Sequence, residues 1–136
     1  MNPHYDQHYT VAQIEAVLLT IKECIGADRF QISMNENRKE NIDFINEYNI
    51  YPKKRKEILM QISVKDFCHT LHNTKAGYER EVLYVFAPQI TLFNALGKQE
   101  RVDIYIKFNI IDRPSGNRVV VISFHRRNKA IDYLFR

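Results

Sequence analysis

The sequence predicts an α+β fold, with N-terminal helices packed on one face of a C-terminal antiparallel sheet. Apolar residues recur at helical spacing through the first half of the 136-residue chain and alternate with polar residues in the last third. The length suits one domain, which we place at 10–136, and residues 1–9 are predicted to form a flexible tail. The composition, 45% hydrophobic and 26% charged, is that of an ordinary globular protein.

The first half of the chain carries recognisable helix boundaries. Thr10 and Gln13 form a capping-box pattern ahead of a helix that Gly26 can end. A short strand is predicted over 29–34 and an amphipathic helix over 41–49. Pro52 suits the first turn of a further helix.

A fourth helix is predicted to begin after Ser63, which is spaced to pair with Asp66 as a second capping box. Its apolar residues recur three and four apart, which places His69 and His72 on the flank of the buried stripe. Beyond it, 81–87 reads as a central strand because it is apolar on both faces. The segment 89–101 fits either a helical turn or an extension of the sheet.

The last third predicts a β-hairpin. Ile104, Ile106, Phe108 and Ile110 alternate with polar residues, and the turn 112–118 leads into a second apolar strand. Matching the apolar faces pairs Ile110 with Val120, Phe108 with Ile122 and Ile106 with Phe124. The same register sets Asp112 across from Arg118. It also gathers a phenol, an ammonium and an imidazole on the polar face: Tyr105, Lys107 and His125.

Charge and cysteine content predict the partners and the cellular compartment of the protein. The net charge is +4, which permits a polyanionic partner, and two basic runs are candidate RNA contacts. The first run is Lys53, Lys54, Arg55 and Lys56, and the second is Arg126, Arg127, Lys129 and Arg136, of which Arg126 and Arg127 are the RNA-binding candidates. Cys24 and Cys68 are predicted to be buried free thiols. The N-terminus lacks a signal-peptide pattern and no apolar run is long enough for a membrane span, so we expect the cytoplasm and no membrane partner.

The polar residues of the hairpin fit RNA cleavage without a metal or cofactor. Glycine-rich phosphate loops, Gly-x-Ser-x-Gly elbows and His-Glu-x-x-His motifs do not occur in the sequence. Histidines can move protons near neutral pH, lysine can stabilise charge on phosphate oxygens, and tyrosine can bind phosphate or stack on a base. A solvated sheet face with no chemistry is the plain alternative for the same residues.

From Ile42 to His125 the chain resembles the MqsR family of toxin–antitoxin ribonucleases. The resemblance lies in Val64-Lys65-Asp66-Phe67, Leu83-Tyr84-Val85-Phe86, Ile104-Tyr105-Ile106-Lys107-Phe108 and Val121-Ile122-Ser123-Phe124-His125. It implies a RelE-like toxin fold and a metal-independent messenger-RNA endoribonuclease. It also implies a cognate antitoxin, often a zinc-binding plus helix-turn-helix protein. Tyr105 and Lys107 match family positions, whereas His69 and His125 stand where the best-known branch has lysines.

These considerations give one preferred hypothesis and one alternative. The preferred one is a single-stranded mRNA endoribonuclease with His69 and His125 as acid and base in unassigned order, and with Lys107 and Tyr105 as phosphate ligands. His72 is a weaker candidate on the RNA-binding side. The alternative is a non-catalytic basic module that holds RNA or a protein on the same face.

Overall fold

The computed structural model describes residues 5–35 and 38–136 and has an α+β fold of three helices and a mixed six-stranded sheet. The helices are α1 (Val11–Gly26), α2 (Lys39–Glu47) and α3 (Pro52–Met60). The strands, in chain order, are β1 (Phe30–Ile32), β2 (Phe67–His72), β3 (Val82–Phe86), β4 (Gln89–Phe93), β5 (Gln99–Ile111) and β6 (Arg118–Arg126). In the described ranges, no helix combines the length and apolar character that crossing a membrane requires.

The long strand β5 is the centre of the sheet. The order is β1-β6-β5-β3-β2, and β4 pairs with the first half of β5. β3 and β4 therefore follow one another along the same edge of β5, separated only by Ala87 and Pro88. The open question about 89–101 is resolved as an extension of the sheet. The sheet is not wholly antiparallel as predicted, because β1 pairs in parallel with β6.

The two faces of the sheet are buried differently. Side chains from all three helices share one core with β5 residues such as Ile104, Ile106 and Phe108. The opposite face holds a smaller apolar cluster around Tyr105 and Val85. The helices thus cover one face, as predicted, and leave part of the other for the polar residues of β5 and β6.

A β-bulge changes the register of the predicted hairpin halfway along. Tyr105 pairs with His125, Lys107 with Ser123 and Ile106 with Phe124, as predicted. Beyond Lys107 the register shifts by one, so Phe108 meets Val121 and Ile110 meets Val119, and Arg118 faces Ile111 rather than Asp112. Matching apolar faces could not reveal this shift because Val119, Val120, Val121 and Ile122 are interchangeable in an alternating pattern.

Asn41 of α2 binds the backbone of β6 at the bulge. Its amide nitrogen donates to the carbonyls of Ser33 (2.9 Å) and Ile122 (3.0 Å), and its oxygen accepts from the Phe124 amide (2.8 Å). β1 pairs with β6 only as far as Val121, so Asn41 takes over as partner where that ladder ends. The side chain is 1% exposed and satisfies backbone groups that burial would otherwise leave unpaired.

The predicted helix after Ser63 is wrong. The Ser63–Asp66 capping box exists, but it closes a single 3₁₀ turn over Val64–Asp66, and β2 begins at Phe67. A bulge between Phe67 and His69 puts Phe67 in the helix-side core and Cys68 in the cluster on the other face. Apolar residues three and four apart therefore face opposite sides of a sheet and not one side of a helix.

Both ends of the described chain pack against β2. Residues 5–9 belong to the predicted tail; Asp6 forms a two-bond bridge with Thr70 (2.9 Å each), and Gln7 donates to the Cys68 carbonyl (2.9 Å). In the C-terminal segment, the Leu134 amide donates to the Phe67 carbonyl (3.1 Å) and Arg136 pairs with Asp66 (2.9 Å). Cys24 and Cys68 are free and buried, as predicted.

Candidate functional site

A pocket of about 840 Å³ opens on the sheet face that the helices leave uncovered. The polar residues of β5, the end of β2 and both packed terminal segments meet there. Its lining residues are Tyr5, Asp6, His8, Leu71, His72, Asn73, Thr74, Glu79, Tyr105, Lys107 and Lys129. Three residues predicted to be functional therefore share one pocket: Tyr105, Lys107 and His72.

Lys107 is a partly buried ammonium among other cations. It occupies the middle of β5, between Val85 of β3 and Ser123 of β6. Burial, together with the positive charges of Arg38 and Lys129, lowers the pKa of Lys107 to about 8. Because like charges are held together here, an anion in the pocket would be stabilised by all three.

Tyr105 lines the pocket with a buried phenol. Its side chain is 1% exposed, and its hydroxyl has no hydrogen-bond partner within 5–35 and 38–136. Burial raises the pKa of the Tyr105 phenol, so the group stays protonated at neutral pH. The Lys129 ammonium lies 4.9 Å from the ring centroid, in a cation–π contact.

His125 stacks on Tyr105 but is turned toward helix α2. The two ring centroids are 5.5 Å apart. The His125 Nδ1 lies 2.8 Å from the Arg126 carbonyl, which is satisfied when Nδ1 carries the proton, and 3.6 Å from the Glu40 carboxylate. His125 lines a second, smaller hollow beside α2 and is absent from the lining of the main pocket.

His69 lies beneath the pocket, covered by Tyr5. The two rings are parallel within 7°, with centroids 3.6 Å apart, and the histidine is 1% exposed. Burial and the positive charges of Lys129 and Lys107 lower the pKa of His69 to about 4, although the negative charge of Asp132 acts to raise it. The ring is therefore neutral at pH 7. Its Nε2 has no partner among the described residues.

The structure does not bring His69 and His125 together. They lie on β2 and β6, with β3 and β5 between them, so three strand spacings of roughly 4.8 Å separate them by ~14 Å. A general acid and base must both come within hydrogen-bonding reach of one phosphodiester. These two histidines therefore cannot act as the acid–base pair on a single phosphate in this arrangement, which corrects the pairing expected from the sequence.

The basic runs lie outside the pocket. Lys53, Lys54, Arg55 and Lys56 belong to α3, in the helical layer on the other side of the sheet, and Lys56 pairs with Asp28 (2.9 Å). Arg126 bonds to Glu47 (3.1 Å) and to the Tyr48 hydroxyl, while Arg127 bonds to Asp103 (3.3 Å). Both arginines are therefore already paired with acidic residues of the protein itself.

Sequence reasoning included Lys129 in a basic run without placing it beside Lys107, and it missed Arg38 and Tyr5. Lys129 follows the last strand and Arg38 precedes α2, and neither lies near Lys107 in sequence. Tyr5 belongs to the predicted tail. The alternation within β5 could identify only residues of β5 itself, and contacts from distant segments leave no period in the sequence.

The arrangement can bind an anion and donate protons to it. Lys107 and Lys129 supply positive charge, the Tyr105 ring supports Lys129, and His72 supplies an imidazole at the rim. Comparison with protein-family models, with curated proteins and with solved structures found no match to the chain. The functional argument therefore depends on the site itself.

Proposed function

We propose that the protein is a metal-independent endoribonuclease with a RelE-like fold that cleaves single-stranded mRNA. The observation that carries the proposal is the convergence of Lys107, Lys129 and Tyr105 in one open pocket. A phosphodiester brings the negative charge that these groups lack.

The proposed reaction is an internal transfer of the phosphodiester. The ribose 2′-hydroxyl loses its proton and its oxygen bonds to the adjacent phosphorus. The bond from phosphorus to the 5′-oxygen breaks, and that oxygen takes up a proton. The products are a 2′,3′-cyclic phosphate and a free 5′-hydroxyl, so the step needs one base and one acid and consumes no water or metal.

Residue roles follow from protonation and position. His72 at the rim accepts the proton of the 2′-hydroxyl. Lys107, mostly protonated at pH 7 yet more acidic than an ordinary lysine, donates to the 5′-oxygen. Lys129, held over the Tyr105 ring by a cation–π contact, stabilises the non-bridging oxygens, where charge accumulates in the transition state. His125 supports the Tyr105 ring through the stack.

An antitoxin completes the proposal, since a cytoplasmic ribonuclease acting on mRNA would arrest growth if unrestrained. We expect a cognate protein that closes the pocket, of the zinc-binding plus helix-turn-helix kind. Co-expression with the product of a neighbouring gene should then restore growth that this chain alone arrests. Growth that is unaffected by the chain alone would count against a toxin role.

The test is cleavage of a mixed-sequence RNA by purified protein in EDTA, followed by analysis of the fragment ends. Cuts that leave 2′,3′-cyclic phosphates support the proposed chemistry. Lys107→Met should lower the rate by at least ~10²-fold, the usual contribution of a general acid. Lys98→Met, at an exposed lysine in the turn between β4 and β5, is the matched control and should cut normally.

One result would reject this function and another would reject its site. Intact RNA, with the protein shown to be folded, would exclude a free-standing ribonuclease. Normal cleavage by Lys107→Met would leave the activity but remove this pocket as its site.

The second candidate is a non-catalytic module that binds RNA through the same pocket. It is favoured by one observation: the two histidines best suited to proton transfer in the sequence are far apart. It predicts salt-dependent RNA binding that Lys107→Met weakens, with no change in RNA length after long incubation.

A further inference from the structure

We propose that Tyr5, stacked on His69, is a platform on which one unpaired nucleobase of the bound RNA stacks. The inference deepens the proposed function and rests on it for the identity of the ligand. It assigns a base-binding position to a pocket whose cations hold the neighbouring phosphate.

The Tyr5–His69 stack has a geometry to which a third ring can be added by stacking on Tyr5. The Tyr5 and His69 rings are nearly parallel, at 7°, with centroids 3.6 Å apart. His69 forms the lower layer and is 1% exposed, whereas Tyr5 lines the pocket. One face of the tyrosine is therefore taken by the histidine, and the pocket lies on its other side.

Tyr5 is held by the segment that follows it. Asp6 exchanges two backbone hydrogen bonds with Thr70 (2.9 Å each), and the Gln7 side chain donates to the carbonyls of Cys68 (2.9 Å) and Asp132 (3.2 Å). The Tyr9 hydroxyl bonds to that of Thr70 (2.8 Å). A ring positioned in advance loses little conformational entropy when a ligand arrives, which favours binding.

The surroundings favour a nucleobase over other flat ligands. Lys107 and Lys129 line the same pocket as Tyr5, so a ligand that stacks on the ring and carries an adjacent phosphate satisfies both features. Every base presents a π-face, and stacking on an aromatic side chain is tolerant of sequence. The pocket, at about 840 Å³, is larger than one base needs, which leaves room for the ribose and phosphates.

His69 has a positioning role in this arrangement. Its Nε2 is buried beneath Tyr5 and has no partner within the described ranges, so it is not placed to take a proton from RNA. A neutral, flat imidazole makes a suitable lower layer because it adds stacking surface without placing a cation under the phenol.

The chain contains no tryptophan, which permits a direct test. Tyr5→Trp would introduce a single indole at the platform, and a stacked base should quench its fluorescence. The probe is a single-stranded tetranucleotide with every ribose 2′-O-methylated, which cannot be cleaved, compared with the same oligonucleotide made abasic throughout. Phe93→Trp, at an exposed aromatic residue of β4 outside the pocket lining, is the control indole.

The expected result is quenching of the Tyr5→Trp protein by the normal oligonucleotide only, and none for Phe93→Trp. Tyr5→Ala should weaken binding of the normal oligonucleotide by about fivefold or more, since base stacking contributes at least ~1 kcal/mol. Tyr5→Phe keeps the ring and should bind as the wild type does. Binding of inorganic phosphate near Lys107, followed by NMR, should be unchanged in Tyr5→Ala.

The outcomes separate this inference from the proposed function. Equal quenching by normal and abasic oligonucleotides, or unchanged affinity in Tyr5→Ala, overturns the platform, whereas cleavage by the wild type would still support the ribonuclease. Base-dependent quenching with no cleavage of unmodified RNA upholds the platform and points to the binding module instead.

Discussion

Lys107 illustrates how a functional residue can oppose folding. Burial and two neighbouring cations lower the pKa of Lys107 to about 8, so at pH 7 the fold holds a charged group where a neutral one would be more stable. An apolar side chain of similar length removes that penalty. The residue best suited to bind phosphate is therefore one that the fold would be more stable without.

Lys107→Met should accordingly stabilise the protein at pH 7 by roughly 1–2 kcal/mol, a figure reduced for partial exposure, while abolishing cleavage. The wild type should gain stability as pH rises from about 8 toward 10.5, because the unfolded lysine stays charged over that window, so the difference should shrink. Urea denaturation at pH 7 and pH 10 checks this. A destabilised variant at pH 7 would contradict it.

The pH dependence of cleavage tests the same group in the reaction. If Lys107 is the acid, activity should fall as pH rises through about 8, more than two units below an ordinary lysine at 10.5. The profile of kcat/KM from pH 7 to 10 reports the free protein and checks this. A flat profile across pH 8 would assign the acid elsewhere.

His69 predicts loss of stability in acid. Its pKa is lowered from 6.5 to about 4, so the unfolded chain takes up a proton before the native one does. Stability should fall by ~2–3 kcal/mol as pH drops from about 6.5 to 4. His69→Phe keeps a ring under Tyr5 and should flatten that part of the curve, measured as urea midpoints; a variant curve parallel to the wild type would refute the assignment.

At the scale of elements, Asn41 attaches α2 to the sheet. Its side chain makes three hydrogen bonds with backbone groups of β6 and of the residue after β1, at a site that is 1% exposed. Asn41→Ala should destabilise the protein by about 2–3 kcal/mol, since it leaves buried groups unpaired. Asn46→Ala, at an exposed position of the same helix, should cost less than ~0.5 kcal/mol. Thermal unfolding of both variants checks the difference.

The basic run of α3 tests which side of the sheet contacts the RNA. Its side chains lie in the helical layer, on the other side of the sheet from the pocket. The double variant Lys53→Glu and Lys54→Glu should therefore cleave a short RNA within about twofold of wild type, whereas Lys129→Met should be impaired. Strong loss in the double variant would restore the run as an RNA contact. A short RNA is essential because a long one can reach both sides.

Most elements follow from periodicity, and the exceptions have physical causes. The predicted α1 and the β5–β6 hairpin are present because one buried face fixes each pattern, α3 begins at Pro52 as predicted, and β3, apolar on both faces, lies inside the sheet. β2 was mistaken for a helix because its bulge and two buried faces mimic helical spacing. Parallel pairing of β1 depends on contacts with the distant β6, which local sequence does not report.

At the scale of the molecule, the pocket was only half predictable. Tyr105 and Lys107 share a strand face, so alternation alone placed them together. Lys129 and Tyr5 reach the pocket through the packing of the two terminal segments, and no spacing rule connects positions so far apart in the sequence. The resemblance named residues of β5 but gave no information about these segments.

The pocket's dependence on both terminal segments has a consequence during synthesis. Tyr5 is made long before β6 and Lys129. While β6 is still inside the ribosome, β5 lacks a neighbour and Lys129 is absent. A nascent chain at that stage therefore cannot assemble the pocket.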